Sequence, residues 1–354
     1  MESVPEKDHD LQEHPYSLRA VISTMKLANK TKAIAAIIKV KALKKRVPLA
    51  VRWQLTNRCP NKCVYCNVWA EDSGRELSTA QILSVIDSLH EQGTQAISFS
   101  GGEPLVRSDI GEILEYCQKK NISTSMNSNG ALVAQKIEQL CTLDLLKLSL
   151  DGPQEIHDMI ANYKGSYRQV LRAAEIAQSR GIKTIFTATI TKYNIGYLQH
   201  LLEVAGAFGT LVAFQPLKKL SRGLKRWEAI VPEEKEYTQA IAGLIALKKR
   251  GDKRMRNSLD ELEHIHHWPR YKKLECWAGK IFCMIGVEGE LYPCDRLAYA
   301  VELPNCVTLG FKKAFESLPE VVGCEGCGFC GTSELNFLLS LRLGILTTIR
   351  KIIN

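Results

Sequence analysis

Cys59, Cys63 and Cys66 fall within eight residues of one another in the run TNRCPNKCVYCNVW. Thiolates are soft metal ligands, and an iron–sulfur cluster takes four of them when fully ligated, so three on one short loop leave an iron open to bind something else. Zinc also takes thiolates at short spacing, although its structural sites usually pair one CxxC with a second nearby pair. Six further cysteines, Cys276, Cys283, Cys294, Cys324, Cys327 and Cys330, are grouped in CWAGKIFC, GELYPC and CEGCGFC. By spacing these are metal-ligand candidates too, with a structural zinc knuckle as the alternative. Cys117, Cys141 and Cys306 stand alone, and the first two fall on helical patterns where a thiol reads as a small buried hydrophobe. The opening residues MESVPEKDHDLQEHPYS lack the basic-then-apolar profile of an export signal, so twelve cysteines point to free thiols and metal in a cytoplasmic protein rather than to disulfides.

The elements that must position these residues alternate. Apolar, β-prone runs at 49–55, 95–100, 122–127, 145–150, 183–190 and 210–215 are separated by helical patterns near 78–92, 108–120, 131–141, 166–180 and 194–208. Such alternation predicts an α/β chain with a parallel sheet, and six units predict a partial (β/α)6 TIM-like barrel with a small cysteine-rich C-terminal extension. Ser78 with Gln81 forms a capping box, Ile82, Val85, Ile86 and Leu89 make one apolar stripe, and Gly93 stops that helix. In barrels of this kind the loops at the carboxyl ends of strands build the site. The three-cysteine loop follows the first strand, and Ser100-Gly101-Gly102-Glu103-Pro104 follows the second. Two glycines there let backbone approach a ligand, and Glu103 offers a carboxylate to an ammonium. Asn127 and Asn129 close the third strand, Ser149 and Asp151 the fourth. Taken singly, these are also ordinary turn residues.

With Tyr65 before the third cysteine, the CxxxCxxC motif resembles the radical S-adenosylmethionine superfamily. That resemblance implies a [4Fe-4S] cluster whose open iron chelates the amino and carboxylate groups of S-adenosyl-L-methionine. Its reduction splits the sulfonium to a 5'-deoxyadenosyl radical that takes hydrogen from an unactivated carbon. It further implies that Tyr65, Gly101, Gly102, Glu103, Asn127, Asn129, Ser149 and Asp151 surround the cofactor, Glu103 meeting the amino group. Where the family usually carries an arginine–glycine pair, this chain has Ala161 and Asn162, with Lys164 or Arg168 as stand-ins for the missing cation. The run from Cys276 through Gly289 to Cys294, with the later cysteines, resembles the SPASM or Twitch extension. This implies at least one auxiliary iron–sulfur cluster, of the [4Fe-4S] type in that family, with candidate ligands Cys276, Cys283, Cys294, Cys324, Cys327 and Cys330; a second cluster would need an open site or Cys306.

The domain plan that follows is a basic, helical arm at 1–48, the barrel at 49–216, a helical connector at 217–275, the auxiliary domain at 276–334 and an amphipathic helix at 335–354. The net charge of +9 is concentrated in the arm, where residues 15–48 carry nine Lys and Arg and no acid. That block and the apolar tail suggest peripheral membrane contact and a phosphorylated or lipid-linked small molecule as substrate; a solvated helix face and a helix packed on the protein itself are the plainer alternatives. SPASM resemblance suggests instead a peptide or protein substrate, brought by a separate recognition partner because no peptide-binding domain precedes the barrel. Flavodoxin or ferredoxin is the implied electron donor. No RNA-binding module or interleaved aromatic pattern appears, which argues against nucleic acid. A non-catalytic electron carrier has no use for an open iron beside an ammonium site. His264, His266 and His267 read as a surface or lid helix, and Tyr193 and Asn194 as a possible border of the substrate site.

Overall fold

The computed structural model describes residues 27–71, 74–218, 227–294, 303–321, 324 and 326–340. Six parallel strands, β1 (Ala50–Gln54), β2 (Ala96–Ser100), β3 (Ser123–Ser128), β4 (Leu145–Ser149), β5 (Lys183–Ile190) and β6 (Val212–Pro216), lie in sequence order across one sheet. Helices α2 (Thr79–Glu91), α3 (Ile110–Lys119), α4 (Gln154–Ala161), α5 (Ser166–Ser179) and α6 (Leu198–Ala207) return the chain between them. Each strand buries one face against these helices and turns the other inward. In β1, Val51 and Trp53 join the core while Arg52 and Gln54 line cavities inside the barrel. The fold is α/β, a partial barrel, as the alternation predicts.

The helix boundaries follow local chemistry. Ser78 accepts from the Gln81 amide and Gln81 answers the Ser78 amide, completing the capping box, and Gly93 (φ +91°) lets the chain turn out of α2. At α5 the N-cap is Gly165, and in place of a capping side chain of its own the helix start is held by Asp158 from α4, whose carboxylate accepts from the amides of Gly165 (2.7 Å) and Tyr167 (2.8 Å). The helix expected at 131–141 is a single turn, Val133–Lys136, continuing as a tighter 3-10 segment to Leu140.

The sheet does not stop at β6. After α7 (Glu234–Lys249) and α8 (Leu259–Ile265), strand β7 (Phe282–Ile285) pairs parallel with β1, Ala50 opposite Phe282, and β8 (Leu291–Tyr292) returns antiparallel to β7. The cysteine-rich region is thus hydrogen-bonded to the barrel's first strand.

Helix α1 (Leu27–Leu43) buries Ala36, Ile37 and Val40 against Trp277, Ile281 and residues Leu335 and Leu339 of the last described helix, α10 (Thr332–Ser340), which follows the short α9 (Phe311–Glu316). Ala36, Ile37 and Val40 of the basic arm and Leu335 and Leu339 of the carboxyl-terminal helix thus share one apolar cluster. Residues 1–26 and 341–354, which the arm and tail also include, lie outside the described residues. Among the described residues, no helix is long and apolar enough to cross a membrane.

Candidate active site and auxiliary thiol site

The loop after β1 carries the first three cysteines and is held along its length. Its Leu55 amide donates to Ser100 O (3.0 Å), and the Gly102 and Glu103 amides donate to Thr56 O (2.7 Å) and Arg58 O (2.9 Å), so the pairing of β1 with β2 runs on past both strand ends. A Cβ on Gly101 would stand 2.2 Å from Thr56 O, and one on Gly102 would stand 2.3 Å from Arg58 O. The two glycines thus let two loops close on each other, beyond the ligand approach that the sequence suggests. Arg58, Glu76, Arg107 and Asp109 form a charged brace beneath this junction. Farther along, the Val64 amide donates to Ile160 O (2.9 Å) and the Trp69 indole to Cys66 O (2.8 Å).

One cavity of about 240 Å³ is lined by Cys59, Cys63 and Cys66 together with Tyr65, Gly101, Gly102, Asn127, Asn129, Ser149 and Asp151. Of the residues expected around the cofactor, Glu103 is the exception. It is fully buried, one oxygen accepting from the Leu105 amide (3.1 Å) and the other from Ser128 Oγ (3.0 Å) and the Asn129 amide (2.7 Å). Its carboxylate pins the end of β3 to the glycine loop, because each oxygen already has a donor. Burial pushes its pKa up to about 7 against these bonds. Asn129 is likewise partly spent on structure: its Oδ1 accepts from the Ala131 amide (2.9 Å) and its Nδ2 reaches Cys59 Sγ (3.5 Å).

Tyr65 donates to Asp151 Oδ2 (2.9 Å), and Asp151 Oδ1 accepts from the Thr189 amide (2.8 Å), joining the cysteine loop to the ends of β4 and β5. Burial raises the Asp151 pKa to about 6. His157, which sequence reasoning passed over, lies in the cavity wall. Its Nδ1 accepts from the Asp151 amide (3.0 Å), so its Nε2 carries the hydrogen toward Ser166 Oγ (3.1 Å), and burial depresses its pKa to about 4. The Ala161–Asn162 departure also has a local reason. Asn162 occupies the left-handed region (φ +49°) that closes α4, where asparagine is the usual substitute for glycine. Neither Lys164 nor Arg168 lines the cavity, and Arg168 instead donates to Gln154 at the surface. The cation that does line it is Arg52, inward-facing on β1; a charged residue at mid-strand in an apolar run was the signal for it.

The thiols can hold a cluster. Burial pushes the Cys59 pKa to about 11 and raises those of Cys63 and Cys66, so the loop carries neutral thiols until a metal compensates the thiolate charge. Among the described residues no three His, Cys, Asp or Glu side chains close on a single-ion position. The thiols instead surround open volume.

In the cysteine-rich region, Cys276, Cys294, Cys324 and Cys327 line a second cavity, of about 690 Å³. Four thiols match the ligand count of one [4Fe-4S] cluster. The other two candidates are placed differently. Cys283 sits on β7 in the core near Cys306, and Cys330 donates to Phe214 O (2.8 Å) on β6; neither lines this cavity. Sequence spacing could not separate them, because it does not say which way a thiol faces. His264 is not a surface residue: it is buried, its Nε2 meets Cys327 O (2.8 Å), and it stacks on Tyr271. A Cβ on Gly326 or Gly328 would meet Tyr271 at 2.3 and 2.4 Å, which explains the glycines between these cysteines.

A partial barrel whose first loop presents three thiols beside a glycine-bearing second loop defines an iron–sulfur enzyme of the radical type. Residues 53–205 match the Radical SAM superfamily, so this stretch of the chain is a radical S-adenosylmethionine enzyme domain, and the cysteine-rich carboxyl-terminal region is SPASM/Twitch-like. The matched family uses a [4Fe-4S] cluster and S-adenosylmethionine, and the four thiols of the second cavity are the candidate ligands of an auxiliary iron–sulfur cluster. The chain is similar to the mycofactocin maturase MftC of Mycolicibacterium smegmatis, with 26% identity over 80% of this chain and 76% of that one. It is also similar to the PqqA peptide cyclase of Gluconobacter oxydans (26%; 73% and 74%) and, over 43% of this chain and 39% of the relative, to the Fe-coproporphyrin III synthase of Methanosarcina barkeri (36%). Among solved structures, Streptococcus suis SuiB bound to precursor peptide SuiA shares the fold, with a TM-score of 0.61 at 15% identity over 78% of this chain and 66% of that one.

Proposed function

We propose that this enzyme is a peptide-modifying maturase in which Cys59, Cys63 and Cys66 ligate the S-adenosylmethionine cluster and Cys276, Cys294, Cys324 and Cys327 ligate one auxiliary cluster. The observation that carries this reading is a pocket of about 220 Å³ lying between the two thiol cavities. Tyr65, Cys66 and Gly101 border it and the first cavity, while Leu217, Lys218 and Phe329 border it and the second. A substrate seated there has a cluster on either side. Similarity to the PqqA peptide cyclase over most of both chains supports a peptide as that substrate.

When bound, the reduced cluster and S-adenosylmethionine supply the 5'-deoxyadenosyl radical. The chain supplies position. The Tyr65–Asp151 bond fixes the cysteine loop over the barrel mouth, Asn129 orients Cys59, and neutral His157 ties β4 to α5 through Ser166. His264 and Tyr271 steady the Cys327 turn on the auxiliary side. Flavodoxin or ferredoxin is the expected electron donor.

The test is anaerobic turnover with S-adenosylmethionine and dithionite in the presence of a short-peptide library. The expected result is at least a tenfold rise in 5'-deoxyadenosine with a mass change in a peptide. Stimulation by a tetrapyrrole or another non-peptide alone would overturn the peptide assignment.

A further inference from the structure

In the auxiliary cavity, the side chain of Asn336 has its hydrogen bonds half made. Asn336 lies on α10, is fully buried, and lines that cavity with Cys276, Cys294, Cys324 and Cys327. Its Oδ1 accepts from the amide of Trp277 (3.1 Å), the residue that follows Cys276. A backbone N–H only donates, so the carboxamide oxygen must face Trp277 and the NH2 group is turned away from it. Among the described residues, that Nδ2 has no hydrogen-bond partner. Helix α10 holds it there: Ser333 Oγ donates to Glu261 Oε1 (2.6 Å), Glu334 Oε1 accepts from the Ser258 amide (2.8 Å), and Leu335 and Leu339 are buried against α1.

The Cys276 thiol is within its reach. Burial raises the Cys276 pKa, and the Ala278 amide and the Asn336 side chain both act against that rise by favouring the thiolate. A neutral thiol is a weak acceptor, whereas a metal-bound thiolate draws a charge-assisted hydrogen bond. The first thiol site is built alike, with Asn129 Nδ2 reaching Cys59 Sγ (3.5 Å).

We infer that Asn336 donates from Nδ2 to the Cys276 thiolate of the auxiliary cluster and so raises that cluster's reduction potential, while its Oδ1 fixes the backbone that carries the cysteine. The physical cause is charge. A thiolate-ligated cluster is anionic and gains a further negative charge on reduction, so a donor to a ligand sulfur favours the reduced form. This rests on the auxiliary-cluster reading above but not on the substrate being a peptide.

The experiment uses the full chain carrying Cys59→Ala, Cys63→Ala and Cys66→Ala, so that the auxiliary cluster alone is loaded, after anaerobic reconstitution with iron and sulfide and reduction with titanium(III) citrate. With asparagine isotopically labelled at its side-chain nitrogen, pulsed electron paramagnetic resonance should show that nitrogen coupled to the reduced cluster, since Asn336 is the asparagine lining the cavity. The coupling should vanish in Asn336→Leu. In a redox titration, Asn336→Leu should move the ratio of reduced to oxidised cluster at fixed potential at least threefold toward the oxidised form, about 28 mV for a one-electron couple. Asn336→Asp keeps an acceptor for the Trp277 amide but replaces the donor with a charge, so it should keep the iron and shift the ratio further in the same direction. If Asn336→Leu sheds its iron, the labelled-nitrogen coupling in the chain with Asn336 intact still decides. Absence of that coupling, or an unchanged potential in an iron-loaded Asn336→Leu, overturns the role of Asn336 alone. A parent chain that binds no iron overturns the auxiliary-cluster reading and this inference together.

Discussion

Tyr65 and His157 act on the same residue from opposite sides. Tyr65 donates to the Asp151 carboxylate and His157 accepts from the Asp151 amide, so the end of β4 is set by two side chains outside that strand. Removing the phenol with Tyr65→Phe leaves a buried carboxylate short of a donor, a loss of about 1–3 kcal/mol. The expected outcome is a higher KM for S-adenosylmethionine with the cluster content unchanged, measured by steady-state cleavage and iron analysis. His157 makes a pH-dependent contribution whose sign is fixed by its depressed pKa of about 4. Between pH 6.5 and 4 the unfolded chain binds the proton that the folded chain refuses, so this stability is complete above pH 6.5 and falls as the pH drops toward 4. Denaturant titration at pH 7.5 and pH 5 should show a smaller loss on acidification in His157→Asn than in wild type, the difference being up to ~2 kcal/mol. Tyr65 was legible in the sequence because it belongs to a motif. His157 was not, since a lone histidine on a helix carries no sign of what it faces.

At the scale of elements, the six strands and the capping box of α2 could be read directly, because burial of parallel strands and capping of a helix each leave a local pattern. Loop contacts leave none. The glycines after β2 signalled a close approach, but only the fold shows that the neighbour is the backbone of the cysteine loop. Gly102→Ala should therefore displace that loop, costing roughly 1–3 kcal/mol and most of the cluster, as read by thermal unfolding and by the cluster's visible absorbance. Gly196→Ala, where a Cβ meets nothing within 4 Å, is the control and should be within ±0.5 kcal/mol of wild type. On the auxiliary side, Gly328→Ala would push Tyr271 off the cysteine turn and away from its stack on His264. Its expected effect is loss of the auxiliary iron with the first cluster retained.

Across the whole molecule, the joining of β7 to β1 was hidden because a parallel pairing between residues 50 and 282 has no local signature. It matters, since this pairing is what brings the auxiliary thiols beside the barrel mouth. The barrel interior also holds a buried ammonium, that of Lys147. Lys147 is charged in the unfolded chain up to about its ordinary pKa of 10.5, but in the fold only below about 7. Its burial penalty therefore grows as the pH falls from 10.5 to 7 and is constant below. Lys147→Met should raise the melting temperature, by ~1 kcal/mol or more in stability and more at pH 6 than at pH 9, in calorimetric scans. All of these features serve one claim, that the three-cysteine loop holds the cluster at which S-adenosylmethionine is reductively cleaved. The direct measurement is 5'-deoxyadenosine formation by the anaerobically reconstituted, dithionite-reduced enzyme beside its Cys59→Ala, Cys63→Ala, Cys66→Ala triple variant. Wild type should form the product and the variant none, while the variant still retains about four auxiliary iron atoms per chain. Equal formation by both would contradict the account.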